Sequence, residues 1–417
     1  MKIYPEYKSS GIDWLGQIPR HWMISKYKYH STSRMGETIL RENLMQTGVP
    51  VYSATQDDSI FGYVSYPKLL LRKGDFVIPA RGNSIGYVST VSFDQATCSQ
   101  TTICSIDFRN IKPQYLFYCT VAFKSEWFFY DNTAIPQITV KQVENNIVPL
   151  PPIEEQAAIA GYLDEVTTKI ELLLVEKRAQ VEDLRKYRTS LITETVTRGL
   201  NPNVPVKQTN SEWFPNIPTN WSIEKFKYQA TVKANLVHPM NYTQYPQISP
   251  DSIEKNTGRL IGYESVEEAG IISDNHLFYK GQIIYSKIRP NLNKVIIAPF
   301  DGLCSADMYP IETLNNVKYF QYLMLSNPFV SQVSVVIQDR VKMPKINQVE
   351  LGEILILVPP ISEQQQIADY LDEKTAKIDA LIEELEAQLN DLAIYKQAVI
   401  TEAVTGKVDV RDWTPKS

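Results

Sequence analysis

Apolar side chains recur at alternating steps of three and four residues along two long stretches of the chain. Between residues 151 and 197 the series is Ile159, Leu163, Val166, Ile170, Leu173, Lys177, Gln180, Leu184, Tyr187 and Leu191. Between residues 359 and 405 it is Ile367, Leu371, Lys374, Ile378, Leu381, Leu385, Gln388, Leu392, Tyr395 and Val399. Such spacing marks the seam of a coiled coil. It predicts two helices of about 40 residues, each a rod of roughly 60 Å at 1.5 Å per residue. The apolar members of both series are assigned to the packing of this handle, and the polar ones (Lys177, Gln180, Lys374, Gln388) fix its register at some cost in stability. Pro151-Pro152 and Pro359-Pro360 stand where proline is tolerated, before the first turn. Glu154, Glu155 and Glu363 follow where the helix dipole favours anions, and Ser362 with Gln365 fits a capping box. Gly199 and Gly406 stand just past the ends, as C′ residues do.

The two stretches are copies. Aligned without a gap at an offset of 208 residues, 151–197 and 359–405 share 26 identities in 47 positions. So long a period is a duplication of half the protein, not a solenoid. The segments that open each half agree as well: IPRHWMISKYKY (18–29) matches IPTNWSIEKFKY (217–228), which sets Trp22 opposite Trp221 as candidate core residues. Each opening leads into a block of about 130 residues with short β-branched and aromatic runs broken by Gly, Pro, Asn and Asp, the texture of short strands and turns. The blocks agree only at framework points. Lys73-Gly74 parallels Lys280-Gly281, Cys98-Ser99 parallels Cys304-Ser305, and Ile135-Pro136-Gln137-Ile138 parallels Met343-Pro344-Lys345-Ile346.

The expected fold is therefore α+β, two similar α/β domains joined by two long antiparallel coiled-coil helices with pseudo-two-fold symmetry. The expected boundaries are 1–150 for the first domain, 151–199 for the central helix, 200–358 for the second domain and 359–417 for the last helix and tail. The tail VDVRDW is expected to return to the N-terminal segment.

Composition adds mainly exclusions. The N-terminus has no apolar signal-peptide core, no run approaches the ~20 apolar residues that span a bilayer, and a cytoplasmic protein is expected. Four cysteines without CxxC spacing and four scattered histidines argue against a disulfide framework or a zinc site. The net charge of −5 is unevenly spread. Residues 1–150 hold 15 Lys and Arg against 12 Asp and Glu, whereas residues 359–412 hold 5 against 12. Residues 201–358 hold 14 against 14, so the acidic balance lies in the repeated helices while the two blocks are neutral to basic. A phosphate-binding surface needs only a local positive face, so the total charge decides little.

No phosphate loop, dinucleotide fingerprint, HExxH or GxSxG is present. Arg81-Gly82-Asn83-Ser84-Ile85-Gly86 is a turn whose arginine and amides could meet a phosphate or a base edge. The adjacent acids Asp57-Asp58 and Glu267-Glu268 read as solvated surface. Two related but differently decorated blocks at a fixed distance make a ruler. If each block reads a few base pairs, the ligand is a split, asymmetric DNA site, with half-sites about 34–36 Å apart on one side of the duplex.

The arrangement resembles the DNA-specificity subunit of Type I restriction–modification enzymes. The residues that carry the resemblance are W-L-G-Q-I-P-x-x-W at 14–22, V-P-L-P-P-I-E-E-Q at 148–156 with V-P-P-I-S-E-Q at 358–364, and L-I-T-E-x-V-T at 191–197. The resemblance covers essentially the whole chain, and departs at 213–218, where WFPNIP replaces the W-L-G pattern. It implies target recognition domains that each read half of a bipartite site, with the helices as spacer and no catalysis in this chain. Two modification subunits carrying S-adenosylmethionine would dock on it, and restriction subunits using ATP and Mg²⁺ would join them; no cofactor is expected on this chain itself. The candidate DNA-binding residues are Arg81, Asn83, Ser84, Gln137 and Thr139 in the first block, and Lys287, Arg289, Asn291, Asn293, Arg340 and Lys342 in the second. Arg suits guanine and Asn or Gln suits adenine. The competing readings are a coiled-coil scaffold that binds proteins and a free-standing methyltransferase, the latter lacking a cofactor loop.

Overall fold

The computed structural model describes residues 2–56, 59–129, 136–340 and 342–414; Asp57, Asp58 and Ile135 lie outside them. It divides into two compact units, residues 1–177 with 387–417 and residues 178–386, so each unit holds one end of both long helices, Ile153–Arg198 and Ile361–Val404.

At the centre of the first unit is an antiparallel sheet in the order Thr32–Met35, Thr102–Ile106, Phe76–Pro79, Ser89–Thr90. The second unit repeats it as Ala230–Val232, Met308–Thr313, Ile283–Ser286, Val295–Ile297. The Phe76–Pro79 strand is apolar throughout because both of its faces are covered. Phe76 and Ile78 join the core shared with the long helices, while Val77 joins a smaller core beneath a second sheet. Ile283 and Tyr285 against Ile284 divide in the same way. Each second sheet contains one parallel pairing, Val49–Tyr52 with Thr97–Cys98 and Pro246–Ile248 with Gly302–Cys304. In both units the strand after the Trp motif pairs with the strand leading into a long helix, Met23–Lys26 with Ile147–Leu150 and Ser222–Lys225 with Leu355–Val358.

The motifs that carry the resemblance form a clasp. Glu155, 5% exposed, accepts hydrogen bonds from Trp22 Nε1 at 2.9 Å and from the Tyr4 hydroxyl, and His21 Nε2 lies 2.8 Å from its other oxygen. Glu363 takes the same place in the second unit, accepting from Trp221 Nε1 at 3.0 Å and Asn220 at 3.1 Å. The neighbouring glutamines bind the chain just before the helix: Gln156 donates to Pro151 O and Gln364 to Pro359 O, both at 2.9 Å. Gly406 (φ 71°) and Gly199 (φ 75°) end the helices in the left-handed region, as C′ glycines do. A Cβ on Gly406 would stand 2.3 Å from Pro19, so that glycine also lets the helix end close on the Trp22 motif. The tail returns to the N-terminus, with Asp409 N donating to Lys2 O at 3.0 Å and the Arg411 guanidinium 5.1 Å from the Tyr4 ring.

The long helices are antiparallel within each unit. In the first, Glu171 pairs with Lys396 and Lys177 with Gln388; in the second, Arg185 pairs with Glu386 at 2.7 Å and Arg188 with Asp379 at 2.9 Å. Half of the expected seam is displaced by one residue. Ile159, Leu163, Ile170, Ile367, Leu371 and Ile378 are buried, and Leu184, Leu385 and Leu392 are half-buried. Leu173 and Leu381, however, are 44% and 50% exposed, while their neighbours Leu174 and Ile382 are 4% and 5% exposed. The true seam runs through Leu163, Thr167, Ile170, Leu174, Lys177 and Val181, the same heptad with its short and long steps exchanged. Thr167 conceals it: a polar residue occupies the seam beside apolar Val166, and its hydroxyl is satisfied by Leu163 O at 2.6 Å. Leu174→Ala is therefore expected to cost about 2 kcal/mol and Leu173→Ala less than about 0.5 kcal/mol. Urea midpoints of the two variants check this, and equal costs would restore the original phase.

Candidate nucleic-acid interface

In the first unit the Phe76–Pro79 strand runs on into the loop singled out in the sequence. Ala80 N donates to Thr101 O at 2.9 Å, Ile138 N to Ala80 O at 2.9 Å and Gly82 N to Pro136 O at 3.0 Å. These bonds place Arg81 directly opposite Gln137 in an antiparallel bridge. Gly82, at φ 77°, then turns the chain into the short 3₁₀ helix Gly82–Ser84, a conformation that favours glycine. Ser84 Oγ donates to Ala54 O at 3.0 Å and Gln56 Nε2 to Asn83 O at 3.1 Å, so the loop is pinned from below. Beside it Ser99 Oγ lies 2.9 Å from Ser53 Oγ and 2.7 Å from Thr101 Oγ1, an uncharged hydroxyl cluster. Arg81, Asn83 and Gln137 are exposed together. Thr139 and Ser84 are committed elsewhere, because Thr139 caps the helix Val140–Asn145 in a capping box with Gln142.

The second unit builds the same frame from different residues. Lys287 N donates to Asp307 O at 3.0 Å, Ile346 N to Lys287 O at 3.0 Å and Arg289 N to Pro344 O at 2.8 Å. Ile288 and Lys345 form the matching bridge. Arg289 holds φ 44° ahead of the 3₁₀ helix Pro290–Leu292, where the first unit has Gly82. A non-glycine residue there costs on the order of 1 kcal/mol or more, and such strain clusters at binding sites. Lys345 Nζ is 2.7 Å from an Asp307 oxygen, and Lys287 Nζ lies 4.8 Å from the centre of the Tyr309 ring. Burial, and then the Lys287 charge, lower the pKa of His276 on the adjoining sheet.

Two candidates do not fit direct base reading. Asn293 is 1% exposed, so its amide, without a hydrogen-bond partner among the described residues, has no access to a ligand. Arg340 is held by both oxygens of Glu350 and by Lys345 O, an arrangement that closes the turn before the helix Gln348–Glu353. The hydrogen bond from Arg340 keeps the Glu350 carboxyl below its ordinary pKa. Arg289, Asn291 and Lys342 are exposed, and Lys287 is half-buried. Lys345 and Asp307 were not among the sequence candidates. The alignment of Pro136-Gln137-Ile138 with Pro344-Lys345-Ile346 was the available signal for Lys345; nothing in the sequence brings Asp307 to it. Among the described residues no group of three or more His, Cys, Asp or Glu side chains is placed to hold a metal ion.

The family model for the Type I restriction modification DNA specificity domain matches the chain twice, over residues 19–183 and 224–391. The specificity subunit of the type I restriction enzyme EcoDI from Escherichia coli is 33% identical over 291 residues, an alignment covering 66% of this chain and 65% of that protein. The putative MjaX specificity subunit from Methanocaldococcus jannaschii is 24% identical over 318 residues, covering 72% of this chain and 69% of that one. The match thus spans just under two thirds of the EcoDI subunit's length. A solved chain of a type I R-M system superposes with a TM-score of 0.68 at 14% identity, covering 94% of this chain and 99% of its own length, which is a likeness of fold. Both halves, each with its block of strands and its length of helix, match one model, and the chain belongs to the Type I restriction modification DNA specificity family.

Proposed function

We propose that this chain is the DNA-reading subunit of a Type I restriction–modification complex. Each unit reads one half of a split, asymmetric site, and the long helices set the gap between the halves. The reading is carried by one observation: the two units build the same loop frame and place different side chains on it. A shared frame with divergent exposed residues suits two readers of unlike sequences, whereas a protein scaffold has no need of it. In this reading the chain works in the cytoplasm, performs no catalysis and provides the docking surface for two modification subunits and the restriction subunits. S-adenosylmethionine serves the modification subunits, and ATP with Mg²⁺ the restriction subunits. No helix among the described residues is long and apolar enough to cross a membrane.

The test is co-expression of the whole chain with modification subunits from the same operon, followed by sequencing of methylated adenine in host DNA. A two-part motif is expected, with one part changing when residues 1–150 are exchanged for those of a relative and the other part unaffected. Methylation that is indifferent to the presence of this chain leaves the scaffold reading in its place.

A further inference from the structure

The matching backbone hydrogen bonds of the two frames put Gln137 and Lys345, one neutral and one cationic, at the same point. Gln137 bridges Arg81 as Lys345 bridges Ile288. Each is preceded by a proline whose carbonyl accepts from the loop and followed by a buried isoleucine, Ile138 or Ile346. Each lies two residues before a capping-box residue, Thr139 or Asn347. The backbone on both sides is therefore held in the same way, and both side chains are exposed.

We propose that Gln137 and Lys345 are the specificity-determining residues at one shared reading position, Gln137 for an adenine in one half-site and Lys345 for a guanine in the other. This rests on the DNA-reading function proposed above. A glutamine amide presents one acceptor and donors, the complement of adenine N6–H and N7, whereas an ammonium only donates and matches guanine O6 and N7. The surroundings differ in the same sense. Lys345 is oriented by Asp307 at 2.7 Å, while the residue that meets the frame at the corresponding point of the first unit is Thr101, a member of the uncharged hydroxyl cluster with Ser53 and Ser99. The second unit pairs its cationic side chain with an acid, and the first unit, with a neutral side chain, has a hydroxyl residue in the acid's place.

The deciding experiment compares the methylated-adenine motifs written by the wild-type complex and by complexes carrying Gln137→Ala, Gln137→Lys, Lys345→Ala or Lys345→Gln. In each alanine variant one base position, in one half only, is expected to become degenerate, with the original base favoured about ten-fold less than before. Gln137→Lys moves the preference at its position from A·T towards G·C, and Lys345→Gln moves it the other way. A motif unchanged in the alanine variants, or methylation reduced evenly at every site as for a phosphate contact, overturns the assignment while leaving the DNA-reading function standing. A wild-type complex that writes no split motif overturns both.

Discussion

Glu155→Ala is expected to destabilise the first unit by about 4 kcal/mol, more than the truncation of Leu174 in the helix seam. The carboxylate is 5% exposed and answers the Trp22 indole and the Tyr4 hydroxyl, both deeply buried, as well as His21 at the rim. Removing it strands two buried donors at about 1–3 kcal/mol each and opens a void under the first helical turn. Glu155→Gln keeps one oxygen as acceptor for both Trp22 and Tyr4 and is expected to cost about half as much, since the two charge-assisted bonds are weakened and not abolished. The corresponding Glu363→Ala is expected to cost only about 1–2 kcal/mol, because Glu363 is half-exposed and water replaces part of what it supplies. The measurement is a urea titration followed by tryptophan fluorescence on all three variants. Equal losses for Glu155→Ala and Glu363→Ala would mean that burial is not what sets the strength of the clasp.

That clasp also shows how far the sequence can be read. The repeated Pro-Pro-x-x-Glu-Gln was visible at once, and so was the helix behind it, because a gapless repeat and heptad spacing are local in the chain. The glutamate's position at a helix N-terminus was legible, but its role as acceptor for a tryptophan more than 130 residues away was not. The seam shows the same limit. Counting apolar residues favours Leu173 over Leu174, because a seam that includes Thr167 and Arg188 does not look apolar; the fold satisfies Thr167 within its own helix, at Leu163 O, and Arg188 across the pair, at Asp379. At the candidate interface, turn chemistry and alignment point to the loop from Arg81 to Ser84 and to Gln137, which the fold sets opposite Arg81. Whether a polar side chain is offered to a ligand or spent on the protein depends on contacts distant in sequence. Asn293 is covered by the fold, Arg340 is taken by Glu350, and Lys345 gains its setting from Asp307.

Arg188→Met is expected to cost the second unit about 3–4 kcal/mol. The guanidinium is 6% exposed and Asp379 15% exposed, with Nε 2.9 Å and Nη2 3.3 Å from the two carboxylate oxygens. The same group donates to Asn256 O at 3.2 Å and Thr257 O at 2.9 Å, so it fastens the loop at 254–259 to the long helices. Its loss leaves a desolvated carboxylate and two carbonyls unanswered, and breaking a buried pair from one side typically costs about 3–5 kcal/mol. Replacing both partners, Arg188→Met with Asp379→Leu, removes the stranded charge and is expected to recover most of that loss, to within about 1–2 kcal/mol of wild type. The repeat supplies the control. Glu171 and Lys396 are the residues at the 208-residue offset in the first unit, but their side chains are 48% and 30% exposed and make no hydrogen bond to a loop among the described residues. Screening by solvent leaves an exposed pair worth about 1 kcal/mol or less, so Lys396→Met is expected to change the urea midpoint little. Hydrogen exchange separates the outcomes by region: Arg188→Met should lose protection at residues 256–261, where Ile261 N donates to Ser252 O at 2.8 Å, and Lys396→Met should not. Equal destabilisation by the two substitutions would show that the pair acts through charge alone, and that the loop is fastened by its own backbone.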